Sequence, residues 1–132
     1  YSYGAIAEWM YKYMAGISND SSVPGFKHII LKPTIDIQQR ITNVKGTYES
    51  SYGTIISNWE IQNDTLIYQA VIPANTSATI YLPTTSENDV VVDNHLKPVK
   101  YLNGTAVYEV VSGSYTFKVK MPKNSKKLVK NN

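Results

Sequence analysis

Paired carboxylates are the first chemistry to test in this 132-residue chain, which has ten acidic residues, two histidines and no cysteine. Glycoside cleavage needs two facing carboxyl groups, one acting as an acid and the other as a base or nucleophile. The acidic candidates fall mainly in predicted turns or on exposed strand faces, where solvated acids are expected. They are Glu49, Glu60, Asp64, Glu87, Asp89 and Asp93. The sequence therefore predicts no catalytic residue.

Metal and cofactor chemistry has equally little support. His28 and His95 are isolated from each other and from other ligand types, whereas a zinc site needs three or four clustered ligands. The chain also lacks a phosphate-binding glycine loop, a nucleophile elbow and zinc-ligand spacing. We expect neither a metal nor a cofactor.

Aromatic rings are the remaining candidates, because the chain has eleven tyrosines and two tryptophans. A flat exposed ring can stack on the apolar face of a sugar. A candidate sugar platform comprises Tyr48, Tyr52, Trp59 and Tyr101. The alternative is that these rings fill the core or line a domain interface. We favour that alternative for Trp59, which alternates with Ile55 and Ser57 along one strand face, and less strongly for Tyr52.

The length favours a single domain with a substantial core. The net charge of +3 is unevenly placed, because four lysines lie between residues 123 and 130. A basic tail can bind phosphates, but residues 122–132 are predicted to be disordered and solubilising, because they contain little that could be buried. No apolar run approaches the roughly twenty residues that cross a membrane. We therefore expect neither a nucleic acid nor a membrane as a partner.

Residues 2–17 carry the only helical pattern. Its apolar face is formed by Ile6, Trp9, Met10, Tyr13, Met14 and Ile17. Further apolar residues lie on its other sides, and a helix that is apolar on most sides needs several partners. We therefore predict that residues 1–17 belong to a preceding helical domain, with self-association of the helix as another outcome. Residues 18–25 are predicted to be a polar linker.

Residues 26–121 read as eight or nine short strands separated by turns. One predicted hairpin pairs residues 66–72 with 78–82 across a turn at Pro73, and the last pairs residues 105–111 with 114–121. A further strand is expected over residues 37–47. The pattern predicts a mainly-β fold, an antiparallel β-sandwich of immunoglobulin-like or jelly-roll type preceded by one α-helix.

Five segments, in order, resemble the C-terminal region of bacterial α-L-rhamnosidases of glycoside hydrolase family 78. The segment SYGAIAEWMYKYMAGI at residues 2–17 resembles the last helix of their helical barrel. The others are PGFKHIILKP at 24–33, GTYESSYGTIISNW at 46–59, IPANTSATIYLP at 72–83 and SGSYTF at 112–117. The resemblance implies a jelly-roll-like C-terminal β-sandwich attached to the last barrel helix.

The resemblance also implies what the chain does. In the family the enzyme is inverting, and the barrel supplies the acid, the base and most of the rhamnose pocket, so no catalytic residue is carried over. Tyr3 and Glu8 are the positions nearest the barrel's active-site end and are weak candidates for substrate binding.

The expected function is a non-catalytic accessory domain that packs against a catalytic helical barrel. An autonomous carbohydrate-binding module is the alternative, with a rhamnose-containing glycan as ligand, and a small enzyme ranks third. The resemblance further implies a bacterial parent enzyme that is periplasmic or secreted.

Overall fold

The computed structural model describes residues 12–36 and 38–122. Most of the predicted helix, with Tyr3 and Glu8, lies outside the described residues, as does most of the predicted basic tail. Self-association through the helix and disorder of the tail therefore stay predictions. The division into a helix, a linker at 18–25 and a sandwich also stays a prediction.

The described chain is mainly β, as predicted. A helical turn covers residues 12–15, and three short 3₁₀ turns cover Pro24–Phe26, Glu87–Asp89 and Asp93–His95. The strands are β1 Ile17–Asn19, β2 His28–Leu31, β3 Asn43–Ser50, β4 Gly53–Gln62, β5 Thr65–Pro83, β6 Val90–Val92, β7 Lys100–Leu102 and β8 Thr105–Lys120.

The two long strands β5 and β8 pair antiparallel along most of their length and belong to both layers of the fold. The first half of β5 and the second half of β8 form one layer, in the order β3-β4-β5-β8-β6. The other halves form the second layer, in the order β1-β2-β5-β8-β7. The β2–β5 pair is parallel, so the sheet is mixed rather than wholly antiparallel.

The two layers enclose one core. The Phe117 ring of the first layer lies 6.1 Å from Tyr68 in the same layer and 5.0 Å from Tyr108 in the second. All three side chains are at most 1% exposed. Burying an apolar side chain of this size is worth roughly 1.5–3 kcal/mol. The layers are thus held face to face by aromatic packing as well as by their shared strands.

Both predicted hairpins, at Pro73 and at Ser112-Gly113, are wrong. Each is a bend within one continuous strand, and the two bends lie opposite each other in the β5–β8 ladder. The register runs from Ile72↔Gly113 to Ser77↔Val111, so residues 73–76 bulge opposite Ser112 alone. A bulge of this kind increases the local bend without reversing the chain.

The shorter turns agree with their sequence signals. Asn63-Asp64 joins β4 to β5, and Asn103-Gly104 joins β7 to β8, each as a two-residue turn with positive φ at both positions. The strand predicted over residues 37–47 begins later, at Asn43. The reason lies in Asp36, whose carboxylate accepts backbone N–H groups from residues 38, 40 and 41 and so organises a loop.

Candidate functional site

The end of the helical turn is fixed by Gly16. Its N–H donates to the Lys12 carbonyl at 3.0 Å, and its φ of +70° is the left-handed conformation of a glycine cap. Its own carbonyl accepts the Lys32 N–H at 2.9 Å, which ties the cap to the residue after β2. A Cβ at this position would overlap the Lys32 carbonyl, so the close approach requires glycine.

The last carbonyl groups of a helix have no partner within the helix. Here the first layer of the sandwich supplies those partners. The indole Nε1–H of Trp59 donates to the Met14 carbonyl at 3.0 Å, and the Ser57 hydroxyl donates to the Ala15 carbonyl at 2.6 Å. The Thr34 N–H also donates to the Met14 carbonyl, at 3.0 Å. The sandwich therefore terminates this helical turn.

A third buried side chain completes the arrangement. The Tyr68 hydroxyl lies 2.6 Å from the Ser57 Oγ. Because Ser57 donates its own hydrogen to the Ala15 carbonyl, Tyr68 must be the donor to Ser57. Burial raises the pKa of Tyr68 well above the usual tyrosine value, and the hydrogen bond with Ser57 offsets only part of the rise. The phenol therefore remains a donor throughout the neutral range.

Gly46 gives the helix end room to approach β3. A Cβ at Gly46 would overlap the Ala15 Cβ and lie 2.9 Å from the Ser57 carbonyl oxygen. Met14 and Ala15 are accordingly buried, at 7% and 1% exposure. We call Gly46, Ser57, Trp59 and Tyr68 the helix-end socket.

The structure does not bring the four predicted sugar-platform rings together. Trp59 lies in the helix-end socket at 2% exposure, which leaves no ring face for a ligand. Tyr101 lies on β7, where its hydroxyl donates to the Thr84 and Thr85 carbonyls at 3.1 and 2.8 Å. Tyr48 and Tyr52 remain, and both lie at the β3–β4 hairpin with 44% and 40% exposure.

Tyr48 and Tyr52 contact the segment that precedes β2. Tyr48 stacks on Phe26 with ring centroids 4.5 Å apart, and the Lys27 ammonium lies 5.2 Å from the centre of the Tyr52 ring. The same ammonium donates to the Asn75 carbonyl at 2.6 Å. We call Phe26, Lys27, Tyr48, Tyr52 and Asn75 the Tyr52 rim. It joins three segments that are far apart in the sequence.

A shallow depression borders the rim at Lys27 and Asn75 and also includes His28 and Ser77. His28 Nδ1 lies 2.6 Å from the Ser77 hydroxyl, and His28 Nε2 lies 2.7 Å from the Thr79 hydroxyl. Thr79 in turn donates to a Glu109 carboxylate oxygen at 2.7 Å. Because Thr79 gives its hydrogen to Glu109, the Thr79 oxygen must accept a hydrogen bond from Nε2–H of His28. A neutral His28 ring with its hydrogen on Nε2 then accepts the Ser77 hydroxyl hydrogen at Nδ1.

Comparison with known proteins decides the family. The sequence profile of the bacterial alpha-L-rhamnosidase C-terminal domain matches residues 16–97 of this chain. The chain belongs to that family. The matched range begins at Gly16, the residue that caps the helical turn.

Two α-L-rhamnosidases are similar to most of this chain. The Formosa agariphila enzyme is 35% identical over an alignment of 127 positions, which covers 91% of this chain and 13% of that protein. The Streptomyces avermitilis enzyme is 30% identical over 119 residues, which are 90% of this chain and 11% of that protein. The chain thus spans about an eighth of the length of these relatives.

Solved α-L-rhamnosidase structures share the fold. The Streptomyces avermitilis enzyme complexed with L-rhamnose matches with a TM-score of 0.75 at 30% identity, over 89% of this chain and 11% of that chain. The Dictyoglumus thermophilum enzyme matches with a TM-score of 0.71 at 23% identity, over 89% of this chain and 13% of that chain. The second likeness concerns the fold alone.

Neither the socket contacts nor the Ser77–His28–Thr79–Glu109 chain was predicted from the sequence of this rhamnosidase domain. The signal for His28 was available only through the parallel β2–β5 pairing, which places His28 opposite Ser77. Among the described residues, no three histidine or acidic side chains cluster as metal ligands. No helix in the described part of the chain is long and apolar enough to span a membrane.

Proposed function

We propose that this chain is a non-catalytic structural domain of a longer α-L-rhamnosidase, and that it packs against the catalytic helical barrel. The observation that carries the proposal is the helix-end socket. Trp59 and Ser57 donate to the last two carbonyls of a helical turn that precedes the matched domain. A sandwich that caps the final turn of a helix holds the preceding chain in a fixed position.

The exposed side of the same helical turn supports a partner domain. Met14 and Ala15 face the socket and are buried, whereas Tyr13 is 58% exposed. The apolar part of a tyrosine ring would gain free energy by burial against a neighbouring domain. The catalytic barrel, which the family resemblance places before this helix end, is the neighbour we propose.

A chimera tests this function. The matched C-terminal segment of the Streptomyces avermitilis enzyme is replaced by this chain, either unchanged or carrying Trp59→Phe with Ser57→Ala. Thermal inactivation is measured, together with hydrolysis of an aryl α-L-rhamnoside. We expect the unchanged chimera to be active. The socket variant should lose activity several degrees lower, with kcat and KM unchanged at low temperature, because the socket holds domains together without touching substrate.

The matched control is a chimera carrying Tyr101→Phe, which removes a hydroxyl bonded outside the socket. Equal thermal inactivation of the socket variant and this control would contradict a structural role for the socket. A change in KM or kcat at low temperature, with no loss of stability, would instead show that the domain takes part in substrate binding or turnover.

A second candidate function is a sugar contact at the Tyr52 rim. The specific observation in its favour is that Tyr52 is exposed while Lys27 holds one side of its ring. A rhamnose-containing glycan is the ligand that the family resemblance suggests.

A further inference from the structure

We propose that the Tyr52 rim binds a carbohydrate that carries a carboxylate, with Tyr52 stacking on the sugar ring and Lys27 pairing with the carboxylate. The proposal rests on the sugar contact named above as the second candidate function, and it adds the charge of the ligand. Three features of the rim support it: a fixed exposed ring, a cation beside that ring, and uncharged polar groups in the adjoining depression.

The hairpin tip that carries Tyr52 is closed before any ligand arrives. The Tyr52 N–H donates to the Ser50 hydroxyl at 3.2 Å, and that hydroxyl donates to the Gly53 carbonyl at 2.8 Å, so the hairpin tip is closed by its own hydrogen bonds. The Lys27 ammonium at 5.2 Å from the ring centre restrains the ring further. A ring that is restrained in this way loses less conformational freedom when it stacks on a sugar.

Lys27 supplies the charge selectivity. One of the three hydrogens of a lysine ammonium is used by the Asn75 carbonyl, so two remain for a ligand. The acidic side chains of the neighbouring segments pair with hydroxyl groups and not with Lys27: Asp20 accepts from Ser22, Glu49 from Thr54, and Glu109 from Thr79. A sugar carboxylate that reaches this ammonium from beside Tyr52 would gain a charge-assisted hydrogen bond.

The depression beside the rim suits the hydroxyl groups of a sugar. With the His28 ring neutral, Ser77 gives its hydrogen to His28, and the lone pairs of the Ser77 oxygen are left to accept a hydrogen bond from a ligand. Asn75 lies beside it at a positive φ of +65°, on the exposed bend of β5. Polar groups of this kind orient a sugar that an aromatic ring and a cation hold.

Amide resonances of the whole chain, titrated with three trisaccharides, test the proposal. Trigalacturonate and triglucuronate carry carboxylates, and galactotriose is the neutral probe. We expect at least one acidic sugar to shift the resonances of residues 26–27, 48–52 and 75–77, with affinity falling as salt rises. Lys27→Met keeps the aliphatic stem on Tyr52 and should weaken acidic-sugar binding about tenfold, which corresponds to about 1.4 kcal/mol.

Tyr52→Ala should abolish binding, and Tyr101→Ala is the control that should leave binding unchanged. Galactotriose binding as tightly as the acidic sugars, with no effect of Lys27→Met, would overturn the proposal while leaving the sugar contact in place. No shift at the rim with any of the three sugars would also overturn the proposal. Neither result bears on the proposed structural role of the domain. That role is tested separately by the thermal inactivation of the chimera.

Discussion

At the scale of single residues, Trp59 shows what a sequence can and cannot reveal. Its alternation with Ile55 and Ser57 was enough to favour a core or interface position over a sugar platform. Its partner was not predictable, because the Met14 carbonyl is 45 residues away and reaches the indole only through the folded chain. Strand periodicity identifies the buried face, but it carries no information about which distant backbone group that face will meet.

We expect Trp59→Phe to lower the free energy of unfolding by about 1–3 kcal/mol, because it removes a buried donor and leaves unfilled volume. The loss is limited by Thr34, whose N–H still donates to the Met14 carbonyl. Urea unfolding of the chain measures it. Tyr101→Phe, which removes a hydroxyl outside the core, should lower the free energy of unfolding by only about 0.5 kcal/mol or less. Equal losses in the two variants would show that the indole N–H contributes nothing.

Alkaline pH should destabilise the domain through Tyr68 and Tyr108. Burial raises the pKa of both phenols, and the negative charge of Glu87 adds to the rise at Tyr108. In the unfolded chain tyrosine ionises near pH 10. Above that pH the unfolded state has lost protons that the folded state retains, so the free energy of unfolding falls as pH rises; below it these groups cause no change.

Urea unfolding between pH 8 and pH 11 measures this decline. Tyr68→Phe should make the decline shallower, although it lowers stability at pH 8 by removing the donor to Ser57. Tyr101→Phe should leave the slope unchanged. A wild-type stability that is the same at both ends of this range would refute the assignment.

At the scale of elements, the strands were predictable and two of their connections were not. Residue alternation correctly indicated a series of strands over residues 26–121. Pro73 and Gly113 indicated hairpin turns where the chain only bends. The same local chemistry serves both purposes, since a positive φ at Asn75 or Gly113 permits either a reversal or a bulge. The pairing of β5 with β8 decides between them, and that pairing is a long-range contact.

The junction between β3 and the helical turn should tolerate no side chain at Gly46. Gly46→Ala introduces a Cβ that overlaps the Ala15 Cβ, so we expect a loss of about 2 kcal/mol or more in the free energy of unfolding. Combining it with Ala15→Gly removes that overlap and should recover part of the loss. Thr47→Ala, on the exposed face of the same strand, is the control. A double variant no more stable than Gly46→Ala alone would show that the Ser57 carbonyl, not Ala15, sets the limit.

At the scale of the whole molecule, the chain is a domain of the α-L-rhamnosidase family without an assigned catalytic residue. We therefore predict that the pure chain releases no nitrophenol from an aryl α-L-rhamnoside above a blank without protein, because glycoside cleavage requires two positioned carboxyl groups. The active Streptomyces avermitilis enzyme is the positive control. Measurable turnover that survives repeated purification would contradict the prediction.

The shared strands β5 and β8 also determine when this domain can fold. Every strand of the second layer depends on β5 or on a strand beside it, and β6 and β7 pair only with β8 among the described strands. The β5–β8 ladder joins residue 65 to residue 120, so its closure is a slow, non-local step. During synthesis the sandwich cannot close until β8 has left the ribosome. The domain then forms late, and a chain truncated before Thr105 would expose the unpaired edge of β5 to aggregation.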